Sequence, residues 1–230
     1  MKAVAVIPAG GQGRRMGADT PKQYIVIAGK PLLVHTLRKF EAAGIDGIIL
    51  AVPSGDVGFV KDNIVGKYRI EKVVAVVPGG KERQDSVRAG LEALPEGTDI
   101  VAVHDAVRPF VSPGLIRTVI EQAAAFSAAV LGVPVKDTVK KVTRDNIISG
   151  TLDRDGLWLT QTPQAFRTGV ILDAYRRAYE EGFYSTDEAA LVERTGVKVR
   201  MVPGSYENIK ITTTDDIRYA EFMMEREVMK

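Results

Sequence analysis

Cysteine is missing from all 230 residues. Disulfides, thiolate metal sites and cysteine nucleophiles are therefore excluded, and a reducing compartment fits. Histidine is scarce: the chain holds two, His35 and His104. His35 falls in an amphipathic segment and receives no functional role. His104 reads as a packed, hydrogen-bonded residue rather than a catalyst. Long apolar runs are also lacking. The N-terminal run Val4–Ile7 is too short for a signal sequence or a membrane span, and no later stretch is long and apolar enough either. The expectation is a cytoplasmic protein with no membrane contact. Neither sign of charge dominates, with 31 Lys and Arg against 29 Asp and Glu. A net charge of +2 is too small to argue for nucleic acid. A phosphate ligand needs only local positive charge and stays open. No internal repeat, low-complexity tract or flexible linker divides the chain, so residues 1–230 read as one domain.

What is present is a rhythm. Short β-branched runs, Val4–Ile7, Ile48–Val52, Val73–Val77, Ile100–Val103 and Ala129–Val133, alternate with longer segments of helical period. The runs are almost continuously apolar, as strands covered on both faces must be. Between them Pro31–Ala43, Arg83–Leu94 and Pro113–Phe126 read as helices, with Pro31 and Pro113 suited to first turns. Strands alternating with helices predict a doubly wound α/β fold with a mostly parallel sheet. Ligands of such sheets bind at the carboxyl ends of strands. The loops after Ile7, Val77 and Val103 are thus the ones to watch. Residues 134–155 break the rhythm and read as short polar strands with a turn near Arg144-Asp145-Asn146, a β-arm suited to packing on a partner. Further on, Gly169–Glu181 and Asp187–Arg194 read as helical, Val197–Val202 and the stretch holding Lys210 and Thr212 as strand-like, and the chain from Thr214 as helical.

The first of those loops is Pro8-Ala9-Gly10-Gly11-Gln12-Gly13-Arg14-Arg15-Met16-Gly17. Its glycines let the backbone approach a ligand and turn N–H groups toward it. The dinucleotide fingerprint fails at Met16, and the Walker motif lacks its Gly-Lys-Ser/Thr. Arginines inside a glycine loop suit a polyphosphate whose charge must be neutralised. Pro21 restricts the residue before it and stiffens the approach to Lys22. Asp105, after the strand Ile100–Val103, can meet magnesium or a substrate hydroxyl, or close the loop as an Asx turn. Thr186 precedes an acidic helical start and can cap it.

These loops, with Gly79-Gly80-Lys81-Glu82-Arg83-Gln84-Asp85-Ser86, His104-Asp105-Ala106-Val107-Arg108-Pro109, Asp137-Thr138, Asp153-Arg154, Thr162-Pro163-Gln164, Thr186-Asp187-Glu188 and Asn208-Ile209-Lys210-Ile211-Thr212, resemble the sugar-phosphate nucleotidyltransferase superfamily. Within it they are most similar to the 2-C-methyl-D-erythritol 4-phosphate cytidylyltransferase family, in order and over nearly the whole chain. The arm residues 135–140 and Asp153-Arg154 resemble that family more than the ribitol-5-phosphate cytidylyltransferases.

The resemblance implies transfer of CMP from CTP to a sugar-alcohol phosphate, with release of pyrophosphate, in non-mevalonate isoprenoid synthesis. It implies catalytic roles for Arg15 and Lys22, and nucleotide binding by Ala9, Gly10, Gly11, Gly13, Gly79, Gly80, Ser86, Asp105 and Ala106. Substrate binding falls to Arg108, Thr138, Arg154, Thr186, Lys210 and Thr212, and magnesium (Mg2+) to Asp105. It further implies a homodimer in which the arm of one subunit, with Thr138 and Arg154, completes the other's site. Two positions depart from the family: Gly10 replaces a common alanine, and Lys81 stands where an acidic residue is frequent.

Overall fold

The computed structural model describes residues 1–10 and 21–228. The first half of the chain runs β1 (Ala3–Pro8), β2 (Val26–Ile27), β3 (Lys30–Pro31), α1 (Leu32–Ala43), β4 (Gly47–Val52), α2 (Val57–Phe59, continued by a π-helical stretch Val60–Gly66), β5 (Val73–Pro78) and α3 (Arg83–Glu92). There follow β6 (Ile100–Val103), α4 (Pro113–Phe126), β7 (Ala128–Pro134), β8 (Val139–Val142) and β9 (Ile148–Leu152). The last part is β10 (Trp158–Arg167), α5 (Thr168–Glu180), α6 (Glu188–Arg194), β11 (Arg200–Pro203) and α7 (Thr214–Val228).

Seven strands form one sheet in the order β11-β7-β10-β6-β1-β4-β5. The pairings β11·β7, β6·β1, β1·β4 and β4·β5 are parallel, while β10 runs antiparallel between β6 and β7. Strand alternation sorts the core onto two faces. Ala5, Ile7, Ile100 and Ala102 point to the face covered by Leu33, Leu37 and Phe40 of α1 and Ile116 and Val119 of α4. Val6, Val101 and Val103 point to the opposite face, under Val87 and Leu91 of α3, Ile171 and Ala174 of α5, and Leu191 and Val192 of α6. Each large aliphatic side chain so buried contributes about 1.5–3 kcal/mol. Gly90 brings α3 close to the sheet: a Cβ there would stand 2.4 Å from Cγ1 of Val6. A third, smaller cluster packs Met223, Met224 and Ala220 of α7 on Ile27, Leu32, Val107, Phe110 and Ile211. This cluster pins the loop carrying Lys210 beside the loop after β6.

The expected doubly wound, mostly parallel sheet is the one observed. Pro113 occupies the first turn of α4, with the Ser112 hydroxyl accepting from the Leu115 amide at 3.2 Å. Pro31 instead ends β3 and precedes α1. Lys210 and Thr212, expected on a strand, lie on a loop with no sheet pairing. Of the expected Val197–Val202 strand only residues from Arg200 on pair, beside β7, and the pairing runs on to Pro203. The strand β10 had no expectation behind it. Its middle is polar, Thr160-Gln161-Thr162, and interrupted by Pro163, which hides a strand from apolar periodicity. Strands β8 and β9 form a separate antiparallel hairpin whose turn places Asn146 at φ 60°. Among the described residues no helix is long and apolar enough to cross a membrane.

Candidate active site

The carboxyl ends of β1, β5 and β6 open into a cleft of about 910 Å³. Strand β4 lies between β1 and β5, and its last carbonyls hold both glycine turns. The Ala9 amide donates to Ala51 O, and the Gly79 amide to Val52 O, each at 2.7 Å. The turns meet at Ser86. Its hydroxyl accepts from the Gly80 amide at 3.2 Å and donates to Glu82 O at 3.2 Å. A Cβ on Gly79 would lie 2.8 Å from that hydroxyl, and one on Gly80 2.2 Å from Cβ of Asp85, so the turn after β5 leaves no room for a side chain at Gly80 and little at Gly79. A Cβ on Gly10 would lie 3.6 Å from Ser86 Oγ, an ordinary contact. The departure at Gly10 is therefore one the site tolerates in either form.

Asp105 is the charged centre of the cleft wall. It is 7% exposed. Arg83 Nε donates to its Oδ1 at 3.1 Å, and Lys210 Nζ and Arg108 Nε approach Oδ2 at 2.9 and 3.5 Å. Burial alone would push this carboxyl up. The positive charges of Arg83, Lys210 and Arg108 outweigh burial and hold it well below the usual carboxylate range. Arg108 also donates to Asn208 O at 2.8 Å. Arg83 reaches the other way as well, donating Nη1 and Nη2 to the two oxygens of Glu188 at 2.6 and 3.0 Å. Glu188 is 1% exposed and accepts a further bond from the Tyr175 hydroxyl at 3.0 Å. Burial works against the Arg83 cation, but Glu188 and Asp105 raise its pKa above that of a free guanidinium. Three cations thus face two carboxylates, so the cluster around Asp105 is net positive.

A buried polar chain fixes Asp105 from behind. A carbonyl can only accept, so His104 Nε2 carries the proton it gives to Arg108 O at 3.0 Å. Nδ1 is then bare and accepts from the Thr162 hydroxyl at 3.0 Å, and that hydroxyl in turn accepts from the Asp105 amide at 3.1 Å. Burial pushes the His104 pKa down to about 4, so the ring is neutral at pH 7. Its structural reading holds. Gln164, two residues on, accepts at Oε1 from the amides of Glu188 and Ala189 at 3.1 and 2.9 Å and so places the start of α6.

The structure gathers most of the expected residues. Ala9, Gly10, Lys22, Gly79, Gly80, Ser86, Asp105, Ala106, Lys210 and Thr212 line the cleft, and Arg108 adjoins it through Asp105. Lys81 lines it too. Thr212 donates its hydroxyl to Asp216 Oδ2 at 3.0 Å, which ties it to the start of α7. Gly11, Gly13 and Arg15 lie outside the described residues. Thr138, Arg154 and Thr186 are exposed and not part of the cleft wall of their own chain. Arg154 donates instead to Lys136 O beside the hairpin. Thr186 does not cap α6, because the neighbouring Asp187 does so, accepting from the Ala190 amide at 3.2 Å.

Arg83 and Glu188 carried no assignment from the sequence. A signal for Arg83 was there: a cation in a first helical turn is disfavoured by the helix dipole and calls for a nearby anion.

The carboxylate set suits a metal that brings most of its own ligands. Among the described residues no three His, Cys, Asp or Glu side chains form a metal-binding group. Magnesium is commonly held by one or two carboxylates, with phosphate oxygens and water completing its shell. Asp105, ionised and bordering the cleft, meets that requirement.

The chain matches the family model described as "IspD: 2-C-methyl-D-erythritol 4-phosphate cytidylyltransferase" over residues 3–226. It is 51% identical over 227 residues to the 2-C-methyl-D-erythritol 4-phosphate cytidylyltransferase of Syntrophus aciditrophicus, covering 98% of this chain and 97% of that one. The enzyme of the same name from Pelotomaculum thermopropionicum is 50% identical over 221 residues, 96% of this chain and 93% of the other. The fold is similar to the crystal structure of 4-diphosphocytidyl-2C-methyl-D-erythritol synthase from Anaerococcus prevotii, with a TM-score of 0.84, 33% identity and coverage of 97% and 98%. The Francisella tularensis 2-C-methyl-D-erythritol 4-phosphate cytidylyltransferase gives a TM-score of 0.81 at 36% identity, covering 96% of this chain and 99% of that one.

Proposed function

This chain belongs to the 2-C-methyl-D-erythritol 4-phosphate cytidylyltransferase family, and we propose that its cleft transfers CMP from CTP to 2-C-methyl-D-erythritol 4-phosphate and releases pyrophosphate. The observation that carries this reading is Asp105, a buried carboxylate ringed by Arg83, Arg108 and Lys210 and facing two glycine turns. Such a cleft offers cations and backbone amides where phosphoryl chemistry needs them. Among the described residues it offers no evident base, since the histidine beside it is buried and engaged at both nitrogens. None is needed. A phosphate monoester has a second pKa of about 6, so the acceptor arrives as an anion able to attack the α-phosphorus itself.

The residues divide the work as follows. The carbonyls of Ala9 and Gly80 accept from the cytosine amino group, and Ser86 turns its hydroxyl to the ring carbonyl. Gly10, Gly11, Gly13 and Ala106 bind the nucleotide. Arg15 and Lys22 stabilise the charge that builds on the α-phosphate oxygens. Arg108, Lys210 and Thr212 hold the acceptor phosphate, with Thr186 at its edge. Asp105 would hold Mg2+, which would neutralise phosphate charge when bound. Thr138 and Arg154 serve the site of a second subunit, in a homodimer built through the arm at residues 134–155. The exposure of Val142, Ile147 and Ile148 on that hairpin, at 56%, 65% and 61%, supports a packed partner. The rest of 1–230 is one nucleotidyltransferase domain.

The test is a grid of nucleoside triphosphates against sugar-alcohol phosphates with magnesium, following pyrophosphate. The reading expects the highest kcat/KM for CTP with 2-C-methyl-D-erythritol 4-phosphate. A higher value with ribitol 5-phosphate would move the chain's substrate to the neighbouring family.

A further inference from the structure

The first turn of α3 has two faces. One borders the cleft: Ser86 holds the Gly80 amide, and Asp85 packs so tightly under Gly80 that no Cβ fits between them. The other face is tied to the segment between Tyr179 and Glu188. Three consecutive side chains make the ties. Arg83 grips Glu188. Gln84, 3% exposed, donates to Phe183 O at 3.1 Å and accepts from the Ser185 amide at 2.9 Å. Asp85 Oδ1 accepts from the hydroxyls of Tyr179 and Tyr184 at 2.5 and 3.0 Å, while its Oδ2 accepts from the Glu82 amide at 2.9 Å.

These bonds are unequal. Arg83 and Gln84 are anchored mostly away from the glycine turn. Asp85 touches it. Its carboxylate sets the backbone at Glu82, its Cβ sets the backbone at Gly80, and its remaining oxygen is fixed by two phenols from outside the cleft. Charge-assisted O–H···O⁻ bonds are short and strong, and two on one oxygen leave it little freedom. Any base-recognising carbonyl on Gly80 inherits its position from this clamp.

We propose that Tyr179 and Tyr184 are positioning residues for nucleotide selection: acting through Asp85, they hold the Gly79–Gly80 turn where it distinguishes an amino donor from a carbonyl acceptor on the base. This rests on reading that turn as the base-recognising loop. Neither tyrosine borders the cleft. Their effect falls on CTP and leaves the acceptor alone, because the acceptor-side residues Lys210 and Arg108 are fixed by Asp105 and Asn208 instead.

The experiment compares wild type, Tyr179→Phe, Tyr184→Phe and the double variant, measuring kcat/KM with CTP and UTP and KM for the acceptor. Each substitution deletes a hydroxyl and keeps the ring. The double variant is expected to lose about fivefold or more of the CTP-over-UTP preference and to raise the KM for CTP, with acceptor KM within about twofold. A merely structural role would lower the thermal midpoint and leave the preference intact. That result overturns the proposal and leaves the cytidylyltransferase reading standing. Should Tyr179→Phe fail to fold, Tyr184→Phe decides, since its ring is half exposed and its loss of preference or retention reads the same way. A wild type that does not prefer CTP would remove the base-recognising turn and the proposal together.

Discussion

Arg83 and Glu188, 105 residues apart in sequence, meet in a two-point ion pair with bonds of 2.6 and 3.0 Å, and Arg83 extends the pair to Asp105 in the cleft wall. Breaking one side of a buried pair strands the other charge. Glu188→Gln keeps the shape and removes the charge. It is expected to lower unfolding stability by about 2–3 kcal/mol. It should also lower kcat/KM, since Arg83 then holds Asp105 less firmly. Urea unfolding and steady-state rates on the purified variant check both. Unchanged stability would mean that the pair contributes nothing beyond its shape.

Acid should weaken the fold in a defined window. The His104 pKa is lowered from 6.5 to about 4 in the folded state, chiefly by burial. The unfolded chain therefore binds a proton first. Stability is complete above pH 6.5 and falls as the pH drops toward 4, by up to about 3 kcal/mol. His35, also lowered by burial, adds to the same slope. Asp105 contributes separately and lower, because a depressed carboxyl loses its stabilising charge only below the ordinary carboxylate range. Urea midpoints at pH 7.5, 6 and 5 should decline for wild type, and the decline should be shallower in His104→Gln. A flat wild-type profile would contradict the neutral, doubly bonded ring.

The two glycine turns differ in what they tolerate. Gly10→Ala places its methyl 3.6 Å from Ser86 Oγ, whereas Gly80→Ala drives it to 2.2 Å from Asp85 Cβ. Activity with CTP should stay within about twofold in Gly10→Ala and fall by at least about tenfold in Gly80→Ala. Equal losses would show that the turn at Gly80 can shift without harm.

Apolar patterning made the sheet legible, since β1, β4, β6 and β7 are covered on both faces and read as unbroken runs. It failed where burial is polar. Gln161, Thr162 and Gln164 of β10 are all buried, each bonded to a side chain or backbone that no local pattern reveals. The cleft itself was legible from glycines, Lys22 and Asp105 standing after strands. The clamp behind it was not, because Glu188, itself held by Tyr175, joins Arg83 across about a hundred residues of chain. Nothing in the spacing of those residues distinguishes them from a solvated helix face.

Thr138 and Arg154 are exposed on or beside the hairpin and absent from their own cleft wall. If they act across a dimer, mixing an Arg154→Ala subunit with a Lys22→Ala subunit should restore activity, because one of the two hybrid sites keeps both residues. Verified heterodimers that stay inactive would assign Arg154 to its own subunit or to no site.

The most direct measurement follows the acceptor's own oxygen. Supply 2-C-methyl-D-erythritol 4-phosphate labelled with oxygen-18 in its phosphate, with CTP and magnesium, and analyse both products by mass spectrometry and phosphorus NMR. Attack of that phosphate on the α-phosphorus forms one oxygen–phosphorus bond and breaks the α–β link. The account predicts one labelled CDP-alcohol, with label in the bridging position, for each unlabelled pyrophosphate. Pyrophosphate accompanied by free CMP and no CDP-alcohol, or label appearing in the pyrophosphate, would contradict it.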